Sequence, residues 1–142
     1  MNGVLDASMT LAWLFTRVDP AEAALADRAL RDLPSTSWVV PAIWYAEVAN
    51  GLLRSERAGL TQPPQTEFFL DRVSLARIET DQESPRTHQV NSLALARAHR
   101  LSAYDAMYLE LALRRGVPLA TFDPKLAEAA RKAGGRVFGD AA

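Results

Sequence analysis

Apolar and polar positions along this chain follow two rhythms: short apolar runs, and longer stretches in which apolar residues recur every three or four positions. Runs of the first kind lie at 3–5, 37–40 and 118–121, with weaker ones at 76–80 and 136–138. The second rhythm predicts helices over 21–33, from Pro41 to about Arg57, over 63–73 and over 85–99. Two more are expected, one capped by Ser102 and closed by Arg114, Arg115 and Gly116, the other running from Pro124 to the Gly134-Gly135 pair. Short strands alternating with long helices predict a parallel sheet joined by crossover helices. No repeat, low-complexity tract or long linker divides the 142 residues, so one α/β domain over 1–142 is expected.

Four acidic residues interrupt this pattern. Asp6 ends the apolar run Val4-Leu5, and Asp123 follows the apolar stretch from Val117 to Phe122. Glu47 sits among Trp44, Tyr45 and Val48, and Asp105 among Ala103, Tyr104, Ala106 and Met107. Charges so flanked are expected to be partly buried, and a buried carboxylate is costly unless a cation or hydrogen-bond donors compensate it. Close in sequence only Lys125, two residues after Asp123, offers a charge, so a hard divalent cation on oxygen ligands is the natural compensation. In an open parallel sheet, sites form beyond the carboxyl ends of the strands. Asp6 and Asp123 fall at such ends, Asp105 in the first turn of its helix, and Glu47 in the second turn after Pro41. Four chain segments are thus expected to converge on one edge of the sheet.

Composition narrows the classes. A 49% hydrophobic and 23% charged chain is a folded globular one. With no cysteine there is neither a disulfide framework nor a thiolate metal site, which fits a reducing cytoplasm. The apolar stretch from Met9 to Phe15 is far short of the roughly 20 residues a membrane span requires. Asp6 stands where a secretory leader would carry basic residues, so no targeting segment and no membrane association are expected. A formal net charge of -1 means that any nucleic-acid contact would rest on local patches.

Simpler explanations exist for several of these residues. Asp6 is placed to cap a helix near Ser8, Asp123 before Pro124 reads as an N-cap, and Ser102 with Asp105 resembles a capping box. Glu47 lies too deep in its helix to cap anything. Capping would also tolerate Ser, Thr or Asn, so it leaves acids at all four positions unexplained. His88 and His99, eleven apart, read as surface or satisfied histidines. Arg54 with Arg57, and Arg97 with Arg100, read as solvated helix faces, with contact to phosphates as the alternative. The run from Leu11 to Phe15 and the pair Trp44-Tyr45 read as core, or as an apolar surface for a partner. Neither a glycine-rich phosphate loop nor a nucleophilic triad is present.

Taken in order, Val4-Leu5-Asp6-Ala7-Ser8, Tyr45-Ala46-Glu47-Val48, Tyr104-Asp105-Ala106-Met107-Tyr108-Leu109 and Ala120-Thr121-Phe122-Asp123-Pro124-Lys125-Leu126 resemble the PIN domain, most closely its VapC-type toxins. The resemblance spans about residues 4–138, with no signal from Gly59 to Glu83. It implies a PIN-like three-layer α/β/α sandwich with a central, mainly parallel sheet. It also implies an Mg²⁺- or Mn²⁺-dependent endoribonuclease, the toxin of a type II toxin–antitoxin pair, with Asp6, Glu47, Asp105 and Asp123 as the catalytic and metal-binding quartet. Ser8 and Thr121 would support that quartet. The implied partners are an RNA substrate, a cognate antitoxin and a second copy in a homodimer. The alternatives are a housekeeping RNA-processing nuclease, a phosphotransferase working through an aspartyl phosphate on Asp6, and a non-catalytic interaction module.

Overall fold

A computed structural model describes residues 2–15 and 19–141. Strand β1 (Asn2–Leu5) leads into helix α1 (Ala7–Leu11), followed by α2 (Pro20–Arg31), β2 (Ser37–Val40), α3 (Ile43–Arg57) and α4 (Pro63–Ser74). Then come β3 (Ile78–Thr80), α5 (Pro85–His99), α6 (Ala103–Arg115), β4 (Leu119–Ala120) and α7 (Pro124–Lys132). Every strand pairing is parallel, in the order β3-β2-β1-β4, which puts β1 and β2 at the centre.

Helices cover both faces of the sheet, giving a three-layer α/β/α sandwich. That is why the central strands, past an exposed polar first residue, are continuously buried instead of alternating. Val4, Leu5, Trp38, Val39 and Val40 are all buried, and they join Tyr108, Leu109 and Leu111 of α6 and Leu126 of α7 in the core. β1 can approach its neighbour closely because Gly3 has no side chain. A Cβ there would stand 2.7 Å from the Trp38 ring.

Helix bounds follow the capping residues. α5 begins at Pro85 behind Ser84, whose side chain accepts from Thr87 N, and it ends at His99 as expected. Three expectations need correction. Pro41 does not open α3; it precedes the cap Ala42, and its carbonyl accepts from Trp44 N. The run 118–121 contributes only two strand residues, because Thr121 turns away to bind side chains near Asp6. The weak strand at 136–138 is a single parallel bridge between Val137 and Leu119. The run from Leu11 to Phe15, read as core or as a partner surface, is partly buried: α1 ends at Leu11 and a turn carries Trp13 and Leu14 against the core. No helix among the described residues is long and apolar enough to cross a membrane.

Candidate active site

Asp6 emerges from the central strand β1 and is buried. It occupies the N-cap position of α1, yet its side chain makes no capping hydrogen bond. Instead, Thr121 Oγ1 donates to Asp6 Oδ2 at 2.6 Å and Ser8 Oγ donates to the same oxygen at 2.8 Å. The two hydroxyls are tied into the loop after β4: Phe122 N donates to Ser8 Oγ and Asp123 N to Thr121 Oγ1, both at 3.0 Å. Ser8 and Thr121 therefore fix one carboxylate oxygen of Asp6 and lock the β1 and β4 exits together.

Glu47 is brought in by the packing of α3 on α1. Thr10 Oγ1 donates to Asp6 O and accepts from Trp44 Nε1 at 3.1 Å, so the buried Trp44 pins the first turn of α3 beside β1. Glu47, three residues on, shares that face with Trp44 and is half-buried. The buried Tyr108 of α6 donates its hydroxyl to Glu47 Oε1 at 2.6 Å. Burial in this acidic setting, with Glu47 as acceptor, drives the Tyr108 phenol well above its ordinary value, so it remains a donor.

Asp105 and Asp123 come from the first turn of α6 and the N-cap of α7. Asp123 does cap its helix: Oδ1 accepts from Lys125 N at 2.9 Å and Leu126 N at 3.3 Å. Ser102 caps α6 by accepting from Asp105 N at 3.1 Å. The simpler capping explanation thus holds for Asp123, which uses one oxygen for it, and fails for Asp6.

Electrostatics links the four acids. Burial pushes the Asp6 carboxyl above its ordinary value of 3.8; the Thr121 and Ser8 hydroxyls oppose that rise and the charge of Glu47 adds to it. Asp105 is raised as well, first by burial, then by the charges of Asp123 and Asp6. Glu47, Asp6, Asp105 and Asp123 thus form one chain of like charges drawn from α3, β1, α6 and α7. Among the described residues, no Lys, Arg or His forms an ion pair with any of them.

In kind, the donor set suits a hard divalent cation, being all carboxylate and hydroxyl oxygen with uncompensated charge. In placement, no three Asp, Glu or His side chains among the described residues already stand as a ligand set able to hold a metal ion. Tyr108 is the residue that sequence reasoning passed over. It was quoted within a motif, but nothing in a sequence shows that its hydroxyl reaches a carboxylate 61 positions away.

The profile of the PIN domain matches residues 3–132. No curated protein matches the chain. Among solved structures, PAE2754 from Pyrobaculum aerophilum is similar with a TM-score of 0.66 at 20% identity, over 91% of this chain and 84% of that one. A toxin–antitoxin complex from Klebsiella pneumoniae gives 0.57 at 18% identity, over 87% and 93%. VapBC2 from Rickettsia felis, bound to a DNA fragment from their promoter, gives 0.62 at 14% identity, over 96% of each chain.

Proposed function

This chain belongs to the PIN-domain family, and on that premise we propose that it is a metal-dependent ribonuclease, the toxin of a toxin–antitoxin pair. One observation carries the reading: four carboxylates from four segments gather at the sheet's carboxyl edge, Asp6 and Asp105 have raised proton affinity, and no Lys, Arg or His among the described residues forms an ion pair with any of the four. A structural role would not gather charge this way without compensating it.

In this reading Asp6, Glu47, Asp105 and Asp123 would hold Mg²⁺, or Mn²⁺ in its place, which would lower the pKa of a water and offset charge on the scissile phosphate. The chain's own residues provide the order around it. Ser8 and Thr121 keep Asp6 in one rotamer, with Oδ2 engaged. Asp123 spends one oxygen on its cap, which fixes the direction of the other. Tyr108 holds Glu47 at the flank of the cluster, where a carboxylate can receive a proton from water.

The toxin assignment draws on the fold shared with the Klebsiella pneumoniae and Rickettsia felis complexes. An antitoxin partner, a homodimer, a cytoplasmic location and a single domain over 1–142 belong to the same proposal. A groove of about 490 Å³ walled by Trp13, Leu14, Leu30, Leu33, Phe68 and Val73 offers apolar surface that a partner would cover, and none of the four acids lines it. The enzymatic test is cleavage of labelled RNA by metal-stripped protein, with Mg²⁺ or Mn²⁺ restored and Asp6→Asn run alongside. Cuts that need metal and vanish in the variant support the ribonuclease and its site; a variant with full metal-dependent activity removes Asp6 from that site, and no cuts with no effect of metal remove the ribonuclease. Growth arrest on expression, relieved by a neighbouring gene product, separates a toxin from a housekeeping nuclease.

A further inference from the structure

A polar cleft of about 510 Å³ opens between the end of α5 and the length of α7, lined by His99, Arg100, Lys125, Glu128 and Lys132. It adjoins the acidic edge on both walls. On one wall Lys125 lies two residues beyond Asp123 and gives its backbone N–H to that carboxylate. On the other, Arg100 leads through Leu101 to Ser102, the cap of the helix that carries Asp105. From Lys125 to Lys132 the cleft runs on the order of 10 Å along α7.

Its charge is unspent. Lys132 pairs with Glu128 at 3.1 Å, whereas no carboxylate among the described residues is within ion-pair distance of Arg100 or Lys125. In a chain with 16 basic and 17 acidic residues, two free cations in one cleft beside four bare carboxylates make a local separation of charge. Arg100 is also the only non-glycine residue with positive φ (55°) among the described residues. It terminates α5 in the left-handed conformation, the same device that ends α6, where the residue is Gly116 at φ 65°. Glycine adopts that conformation without strain and arginine does not. The strain at position 100 brings a guanidinium into the cleft that glycine would lack.

From these features we infer that the α5–α7 cleft seats the phosphate backbone of the RNA strand that runs into the acidic edge, with Arg100 and Lys125 as the phosphate contacts nearest the site. The inference rests on the ribonuclease reading for the identity of the strand. Four carboxylates repel a polyanion, so a strand approaching them gains from cations placed one step away. The cations also fix the direction in which it enters.

The test is equilibrium binding of a labelled single-stranded RNA in EDTA, followed by anisotropy across a salt series. The wild type is compared with the double variant Arg100→Gly/Lys125→Gln, both keeping the same bare carboxylates. Losing two phosphate contacts should lower the slope of log K against log salt by about 1.4 and weaken binding roughly 10- to 30-fold at 0.1 M monovalent salt. The melting temperature should hold or rise, since glycine relieves position 100; a merely structural Arg100 would lower it without changing the slope. Glu128→Gln, which removes the cleft's carboxylate, should tighten binding. An unchanged slope and affinity in the double variant overturns the inference. So does polyglutamate bound as tightly as RNA with the same dependence on both residues, since that would mark an acidic protein segment as the occupant. A wild type that binds RNA through the cleft but never cuts it with metal would remove the ribonuclease reading and leave the cleft in place.

Discussion

Two aspartates, Asp6 and Asp81, each follow a strand of the same parallel sheet directly, and they meet opposite surroundings. Asp81 is gripped by Arg114 through hydrogen bonds of 3.1 and 2.6 Å, with Arg115 3.6 Å away. Its burial alone would raise the carboxyl, but Arg114, a backbone N–H and Arg115 hold it below its ordinary value. The same Arg114 donates to both oxygens of the buried Glu110, which also meets His88 Nδ1, and these bonds raise the guanidinium's proton affinity. Asp6 has hydroxyls and like charges instead. Helix α6 contributes to both clusters: Asp105 and Tyr108 to the bare one, Glu110, Arg114 and Arg115 to the paired one. The chain can therefore neutralise buried carboxylates in one cluster, and among the described residues it leaves four without an ion pair at one edge. That contrast is what supports the proposal that the edge takes a cationic ligand.

The sharpest way to break the comparison is to treat both clusters alike. Asp6→Asn should abolish metal-dependent RNA cleavage, by about 10³-fold or more, equivalent to roughly 4 kcal/mol of activation free energy. It should leave metal-free stability unchanged or slightly higher, as read by denaturant melts. Arg114→Met should do the reverse. It strands Asp81 and Glu110 without their cation and should cost about 3 kcal/mol in the same melts, at the low end for a broken buried pair because the guanidinium is a quarter exposed. If Arg114→Met proved neutral while Asp6→Asn unfolded the protein, the two clusters would have been assigned the wrong way round.

A smaller effect is expected from Tyr108→Phe. Deleting the hydroxyl that holds Glu47 should lower the cleavage rate about 10- to 100-fold, as losses of a ligand's orienting partner do, with a stability change near 1 kcal/mol. A rate unchanged in single-turnover assays would mean that Glu47 needs no positioning.

The smallest effect is in pH dependence. Asp6 and Asp105 have raised carboxyls, so the metal-free native state binds protons more readily than the unfolded chain there. Their favourable contribution is complete below the unfolded value near 3.8 and is lost as pH rises through the raised folded values. Asp81 has the opposite sign: its contribution is present above 3.8 and is lost only as pH falls through its depressed folded value. Between neutrality and about pH 4, then, metal-free wild type should gain stability relative to Asp6→Asn as pH falls. A difference between the two that stays constant across that window would show that Asp6 does not titrate there.

The bare cluster was legible in the sequence and the paired one was not, for a physical reason. Asp6, Glu47, Asp105 and Asp123 are each conspicuous locally, because an acid at a strand end or inside an apolar helical stretch is out of keeping with its neighbours. Asp81 and His88 are unremarkable locally, and Glu110, set between Leu109 and Leu111, is as conspicuous as Glu47 but gives no sign of its partners; only the fold brings Asp81 to Arg114 across 33 positions and His88 to Glu110 across 22. Helix α5 was legible to the residue because Ser84 and Pro85 announce its start. β4 was overextended because the run 118–121 looks uniformly like strand, while Thr121 is diverted by the hydrogen bond to Asp6. The hydroxyls of Ser8 and Thr121 could be named as supporters from their motifs, but that both reach one oxygen of Asp6 is a matter of three-dimensional placement.

If the acidic edge takes a divalent cation, as proposed, the most direct measurement is the melting temperature of metal-stripped protein with and without saturating Mg²⁺ or Mn²⁺. Wild type should melt higher with metal, by several degrees if the ion reaches about 100 times its Kd, where linkage gives about 2.7 kcal/mol. Arg114→Met should keep that increment and Asp6→Asn should lose most of it. No increment in wild type, or an equal one in Asp6→Asn, would contradict the account.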